Sequence, residues 1–157
     1  MTIRPMTEAD QPEVCRVLCD CYRLLGRVEG LKPEGVEFLL SERGSLESVR
    51  RESVDQTFLV AEVDRAVVGM VAVDGSKIAK LYVHPGYHGR GVGTALFKAA
   101  EAVVREGGYD SLSLGSAPSA VGFYRAMGAR IDGQKKLTCG PLAGHNPVLM
   151  SKQLDPM

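Results

Sequence analysis

A chain of 157 residues has the length of one domain. Lysine plus arginine number 19, as do aspartate plus glutamate, so the formal net charge is 0, without the bulk positive charge that drives non-specific binding to nucleic acid or anionic membrane. At 45% hydrophobic and 24% charged the composition is that of a folded globular chain, and its longest apolar run, the eight residues 66–73, is far too short for a membrane span.

The chain opens with a short strand over 2–4. Thr7-Glu8-Ala9-Asp10 has the Thr-x-x-acid form of a helix start. Val14, Leu18, Cys21, Tyr22 and Leu25 then recur at helical spacing as one apolar stripe. Cys21 lies on it, Cys15 on its flank and Cys19 off it. With Cys139, these are all the cysteines, and they form no Cys-x-x-Cys pair and no Cys/His spacing suited to zinc. No metal is expected. The start of the chain carries no signal-like apolar region, which leads to the expectation of reduced thiols and a cytoplasmic location.

Pro33 opens a second helical region, interrupted at Gly44 and resumed from Ser45 as a cap to about Ser53. Three strands follow, over 56–63, 66–73 and 77–84, joined by turns at Asp64-Arg65 and Asp74-Gly75-Ser76, hence two successive antiparallel hairpins. Lys77 and Lys80 read as a solvated face of the third of these.

Beyond Pro85-Gly86 the pattern changes. Gly89, Gly91 and Gly93 crowd a short loop before a helix marked by Val92, Leu96, Ala99 and Val103 and closed by Gly107-Gly108. A strand over 110–114, a helix over 118–127 and two strand-like pieces around the loop 139–147 complete the chain. A strand–helix–strand crossover between Lys77 and Leu114 requires one parallel pair in a mostly antiparallel sheet.

The segment from Leu81 to Thr94 runs from a strand end through a glycine-rich turn into a helix N-terminus. Such a turn presents unpartnered N–H groups at the positive end of a helix dipole, where a phosphate is stabilised. Arg90 adds a charge that can meet phosphate oxygen. A Walker loop fails, because Val92 stands at its lysine position; a Rossmann fingerprint fails, because Thr94 or Leu96 stands at its third glycine.

His88-Gly89-Arg90-Gly91-Val92-Gly93 resembles the [Gln/Arg]-x-x-Gly-x-[Gly/Ala] acetyl-CoA signature of the GNAT superfamily of N-acetyltransferases, with His88 in place of Gln or Arg. Leu81-Tyr82-Val83-His84-Pro85 resembles that family's fourth strand and its exit, and Phe123-Tyr124-Arg125-Ala126-Met127-Gly128-Ala129 resembles its Phe-Tyr-x-x-x-Gly-Phe element. The order of elements agrees too, so the likeness covers nearly the whole chain. It implies a single domain over 1–157 of the α/β (α+β) class, with a mixed, mostly antiparallel sheet of about seven strands, about four flanking helices and a splayed parallel pair at the cofactor site.

The resemblance also implies direct acetyl transfer from acetyl-CoA, without a metal, to a primary amine of a small molecule or peptide, and it is compatible with a homodimer. Backbone groups of Leu81, Tyr82 and Val83 would pair with pantetheine. The N–H groups of His88, Gly89, Arg90, Gly91, Val92, Gly93 and Thr94 would hold the pyrophosphate. Ser116, beside Ala117 where many relatives carry Asn, would contact the cofactor arm. Tyr124 would protonate the departing thiolate. The fourth strand lacks the Glu of many relatives, which leaves Glu37, Glu62 and His145 as candidate bases and a non-catalytic acyl-CoA-binding regulatory module as the rival reading. His84 reads as structural.

Overall fold

The computed structural model describes residues 1–155; Pro156 and Met157, the last two residues of the expected 1–157 span, lie outside the described residues. Seven strands form one mixed sheet: β1 (Thr2–Pro5), β2 (Thr57–Val63), β3 (Ala66–Asp74), β4 (Lys77–Val83), β5 (Ser111–Ser116), β6 (Arg130–Gln134) and β7 (Val148–Gln153). Their order is β1-β2-β3-β4-β5-β7-β6, with β4 and β5 parallel and every other neighbouring pair antiparallel. The helices are α1 (Gln11–Glu29), α2 (Pro33–Glu42), α3 (Leu46–Ser53), α4 (Val92–Glu106) and α5 (Val121–Ala126). There are five rather than about four, because the break at Gly44 separates α2 from α3. Ser45 caps α3 by accepting from the Ser48 N–H.

Asp10 receives the N–H and the hydroxyl of Thr7 at 2.7 and 2.9 Å, which anchors the start of α1. Its carboxylate is also paired with Arg4 at 2.7 Å. The expected stripe of α1 is buried from Val14 to Tyr22, and the helix continues one turn beyond Leu25 before Gly30, at φ +66°, ends it. Gly26 allows α2 to approach, since a Cβ there would lie 2.5 Å from a Val36 methyl.

Two apolar layers cover the two faces of the sheet. On one, α4 packs Leu96, Phe97, Ala100 and Val104, and α5 packs Tyr124, against Val71, Ile78, Leu112, Leu114 and Met150. On the other, α1 to α3 pack Val14, Leu18, Tyr22, Leu39 and Val49 against Phe58, Val60, Met70 and Ala72. Covered on both faces, β3 has seven consecutive buried residues, from Val67 to Val73. Along α4 the fully buried line is Val92, Leu96, Phe97, Ala100 and Val104, one step round from the expected Ala99 and Val103, which are half-buried. No helix among the described residues is long and apolar enough to cross a membrane.

Candidate active site

Register decides which backbone groups on β4 are free. The His84 N–H donates to Val68 O at 2.8 Å, and hydrogen-bonded pairs recur at every second residue of an antiparallel ladder. The main-chain groups of Tyr82, opposite Met70, are therefore committed to β3, while those of Leu81 and Val83 face the other way, towards β5. Strand β5 meets β4 only at Lys77–Ser113 and Ile78–Leu114, and beyond Ile78 the two diverge. The result is a splayed parallel pair with a free main-chain edge on β4. The Val83 carbonyl in that edge is already engaged, accepting from Cys21 Sγ at 3.2 Å and from His88 Nε2 at 2.8 Å.

A cavity of about 610 Å³ fills the splay. Its floor is β4, including Leu81, Tyr82 and Val83. Cys21, Leu24, Leu25 and Val28 of α1 form one wall, and Gly115, Ser116 and Ala117 at the end of β5, with Phe123 and Tyr124 of α5, form the other. His88, Gly89, Gly91, Val92, Gly93 and Thr94 close the end at which α4 begins. Arg90 stands apart from these, exposed, with its guanidinium over the Tyr87 ring at 5.0 Å from the centroid. Of the residues expected to hold the cofactor or protonate the thiolate, the structure thus brings all but Arg90 to one cavity, and it turns the backbone of Tyr82 to β3.

Gly91 is the residue before α4 and has φ +81°, a left-handed conformation that admits glycine without penalty. The first intrahelical acceptor is Gly91 O, bonded by the Ala95 N–H at 3.1 Å, so the N–H groups of Val92, Gly93 and Thr94 have no partner within the helix. They lie on the cavity side at the positive end of a 15-residue helix. His84 fixes the approach to this turn: its Nδ1 accepts from the Gly86 N–H at 3.1 Å, and its Nε2 lies 3.3 Å from Asp20 on α1.

Tyr124 is buried against Phe97 and Phe123, with ring centroids 6.1 and 5.1 Å away. Burial pushes its phenol well above the usual tyrosine range, so the hydroxyl stays protonated. It has no hydrogen-bond partner among the described residues and is not sealed from the cavity. Burial also pushes the Tyr82 phenol and the Cys21 thiol up, each to about 12. Ser116 is buried at the rim, its hydroxyl donating to Ala117 O at 2.8 Å.

Lys80 is a correction. It is buried, not solvated: its Nζ lies 2.6 Å from Glu52 on α3 and donates to Arg43 O at 3.2 Å. The cause is that helices cover both faces of the sheet, so a lysine in mid-strand is buried on either side. Residues 72 and 73 of β3 face 80 and 78 of β4, so Ala79 is the extra residue of a bulge, and Lys80 falls on the α3 side. Lys77, before the bulge, is exposed as expected. Replacing Lys80 by Met should destabilise the fold by about 3 kcal/mol, because Glu52 loses the partner of a largely buried carboxylate. Adding Glu52→Gln should recover much of that loss, which urea titration of the three variants would measure.

None of the three candidate bases lines the cavity. Glu62 is held by Arg4 Nε at 2.7 Å near the β1 edge, Glu37 is exposed on α2, and His145 sits in the β6–β7 loop with its N–H on Leu142 O. The α1 wall is what sequence reasoning missed. Half-buried Leu24 and Leu25 and exposed Val28 were legible only as the continuation of an apolar stripe.

The family model described as acetyltransferase (GNAT) domain matches residues 28–140. Among solved structures, the chain is similar to a GCN5-related N-acetyltransferase from Rhodopseudomonas palustris, with 22% identity, a TM-score of 0.85, and coverage of 98% of this chain and 95% of that one. It is similar to the PaiA N-acetyltransferase of Thermoplasma acidophilum, solved with coenzyme A, at 22% identity and a TM-score of 0.74 over 97% and 98% of the two chains. It is also similar to yncA from Salmonella typhimurium, solved with acetyl-CoA, at 18% identity and a TM-score of 0.68 over 100% and 95%.

Proposed function

Because the chain belongs to the GNAT acetyltransferase family, we propose that it moves the acetyl group of acetyl-CoA directly to a primary amine of a small molecule or peptide, and that the whole span 1–157 serves as one domain for this purpose. The observation that carries the reading is the convergence, in one cavity, of a free β4 edge, the unpartnered N–H groups at the start of α4 and the hydroxyl of Tyr124. The same reading takes the protein to act in the cytoplasm, where cysteines such as these four are kept reduced.

In this reading the pantetheine arm lies along β4 as an added strand and pairs with the main chain of Leu81. Gly89 and the N–H groups of Val92, Gly93 and Thr94 receive the pyrophosphate, with the dipole of α4 behind them. The carbonyl of Val83 becomes available to an amide of the arm when His88 yields it. Ser116 and the aromatic wall confine the arm from the β5 side. Tyr124 donates its hydroxyl proton to the sulfur as the C–S bond breaks.

The test is ligand-dependent melting. Acetyl-CoA or CoA at a hundred times its Kd should add about 2.7 kcal/mol, roughly 5–10 °C in Tm for a domain of this size. ATP and NAD should shift it less, since the loop lacks the Walker lysine and the third Rossmann glycine. No shift with either CoA species at millimolar concentration would remove the reading.

A further inference from the structure

Strand pairing joins β4 to β5 only near their beginning, so the two walls of the cavity are free to part along the rest of the splay. One side-chain bond spans that gap. Glu29, the last residue of α1, accepts the Ser119 N–H through Oε1 at 2.9 Å, across 90 residues of sequence. Ser119 lies in the short turn Pro118–Ala120 that leads into α5. An N–H in the first turn of a helical segment has no acceptor within it, and Glu29 supplies one. The neighbours of both partners line the cavity: Leu25 and Val28 on α1, and Ala120, Phe123 and Tyr124 beyond Ser119, which lines it too. Val28 and Ser119 are exposed, so the bond lies at the rim and not on the floor.

Resting on the proposed acetyl transfer, we propose that Glu29 is a positioning residue for the cofactor: its carboxylate clasps α1 to the segment that carries Tyr124, closes the mouth of the cavity over the pantetheine arm, and releases the Ser119 N–H each time acetyl-CoA enters or CoA leaves. The arm pairs with the free edge of β4, so it is laid against the strand sideways, through the gap between the walls. Sliding in lengthwise would break and remake each main-chain bond along the way. With the clasp closed, the gap is barred. A hydrogen bond to a carboxylate is stronger than one between neutral groups, but at the rim water takes both partners once they separate, so the clasp opens at modest cost. Both of its partners belong to the protein, so it closes over the empty and the filled cavity alike. Its strength therefore enters the rates of entry and exit equally and leaves affinity nearly unchanged.

Stopped-flow mixing of the protein with etheno-CoA, followed by displacement of bound etheno-CoA with excess CoA, measures the two rates. Glu29→Ala should raise both association and dissociation by roughly threefold to tenfold, with Kd changed by less than about twofold. Glu29→Asp, whose carboxylate is one methylene short of Ser119, should do the same, and it carries the comparison if the alanine variant does not fold. Glu29→Gln keeps an oxygen that accepts the same N–H, and both its rates should stay within about twofold of those of the unmodified protein. A brace that merely stabilised the walls would lose affinity through faster dissociation alone and leave association untouched. Association unchanged in the alanine and aspartate variants would therefore overturn the inference and mean that the arm threads lengthwise beneath an intact bond. Rates in Glu29→Gln as fast as those in Glu29→Ala would overturn it too, because the hydrogen bond would then not be what holds the mouth. Failure of etheno-CoA and CoA to bind the unmodified protein would instead remove the reading beneath it.

Discussion

Tyr124→Phe should lower the rate of acetyl transfer by about 10²–10⁴ while acetyl-CoA affinity and melting temperature stay near those of the unmodified protein. The substitution keeps the ring against Phe97 and Phe123 and removes only the hydroxyl. That hydroxyl forms no hydrogen bond with the described residues, so its removal leaves no buried partner unsatisfied and the fold loses little. If it protonates the departing thiolate, its contribution is made mainly in the transition state and appears in kcat rather than in affinity. Turnover and acetyl-CoA binding measured on the same variant separate the two roles. Undiminished turnover by a folded Tyr124→Phe protein would reduce Tyr124 to a packing residue and leave thiolate protonation to water.

Gly91→Val should weaken CoA binding by at least about a hundredfold, the equivalent of two charge-assisted hydrogen bonds; Arg90→Ala should change it only a few-fold. At φ +81° a valine is strained by about 1–2 kcal/mol. Nothing lies within 4 Å of the position its Cβ would take, so the side chain stands in the open approach to the N–H groups rather than against the core. Gly93→Val should weaken binding too, for a second reason: its Cβ would sit 3.2 Å from the Phe123 ring, pushing α4 and α5 apart. Arg90 is exposed and leans on Tyr87, and water and salt screen what it adds. Isothermal titration with CoA on the three variants decides the matter. Loss of binding in Arg90→Ala with normal binding in Gly91→Val would mean that a side-chain charge, not the backbone, holds the phosphate.

Local signals carried the fold a long way. Thr7 and Asp10, Ser45 and Gly107-Gly108 mark helix ends through bonds made within a few residues, and the turns at Asp64-Arg65 and Asp74-Gly75-Ser76 fix two hairpins by spacing alone. The glycine loop was legible for the same reason. Features that depend on register were not. Lys77 and Lys80 look alike in sequence, and only the packing of α3 on the side to which the bulge at Ala79 brings Lys80 shows it held by Glu52, while Lys77 at the strand's start stays in water. Glu62 looked available until β1 placed Arg4 against it. The parity that gives Tyr82 to β3 and frees Leu81 requires knowing one hydrogen bond across the ladder, that of His84 to Val68.

The two residue pairs that join β4 to β5 have a mechanical consequence. Main-chain bonding across the middle of the sheet is confined to one end, so β1–β4 and β5–β7 behave as two plates riveted at a corner and strapped by α4, which packs on strands of both. Thermal opening of such an assembly begins along the unriveted seam, where no ladder must break. A ligand that lies in the seam and bonds to the β4 edge acts as a gusset. It resists the motion that most easily loosens the molecule, so its grip and the rigidity of the plates rise together. The same line that admits the ligand is the line along which the empty protein yields first.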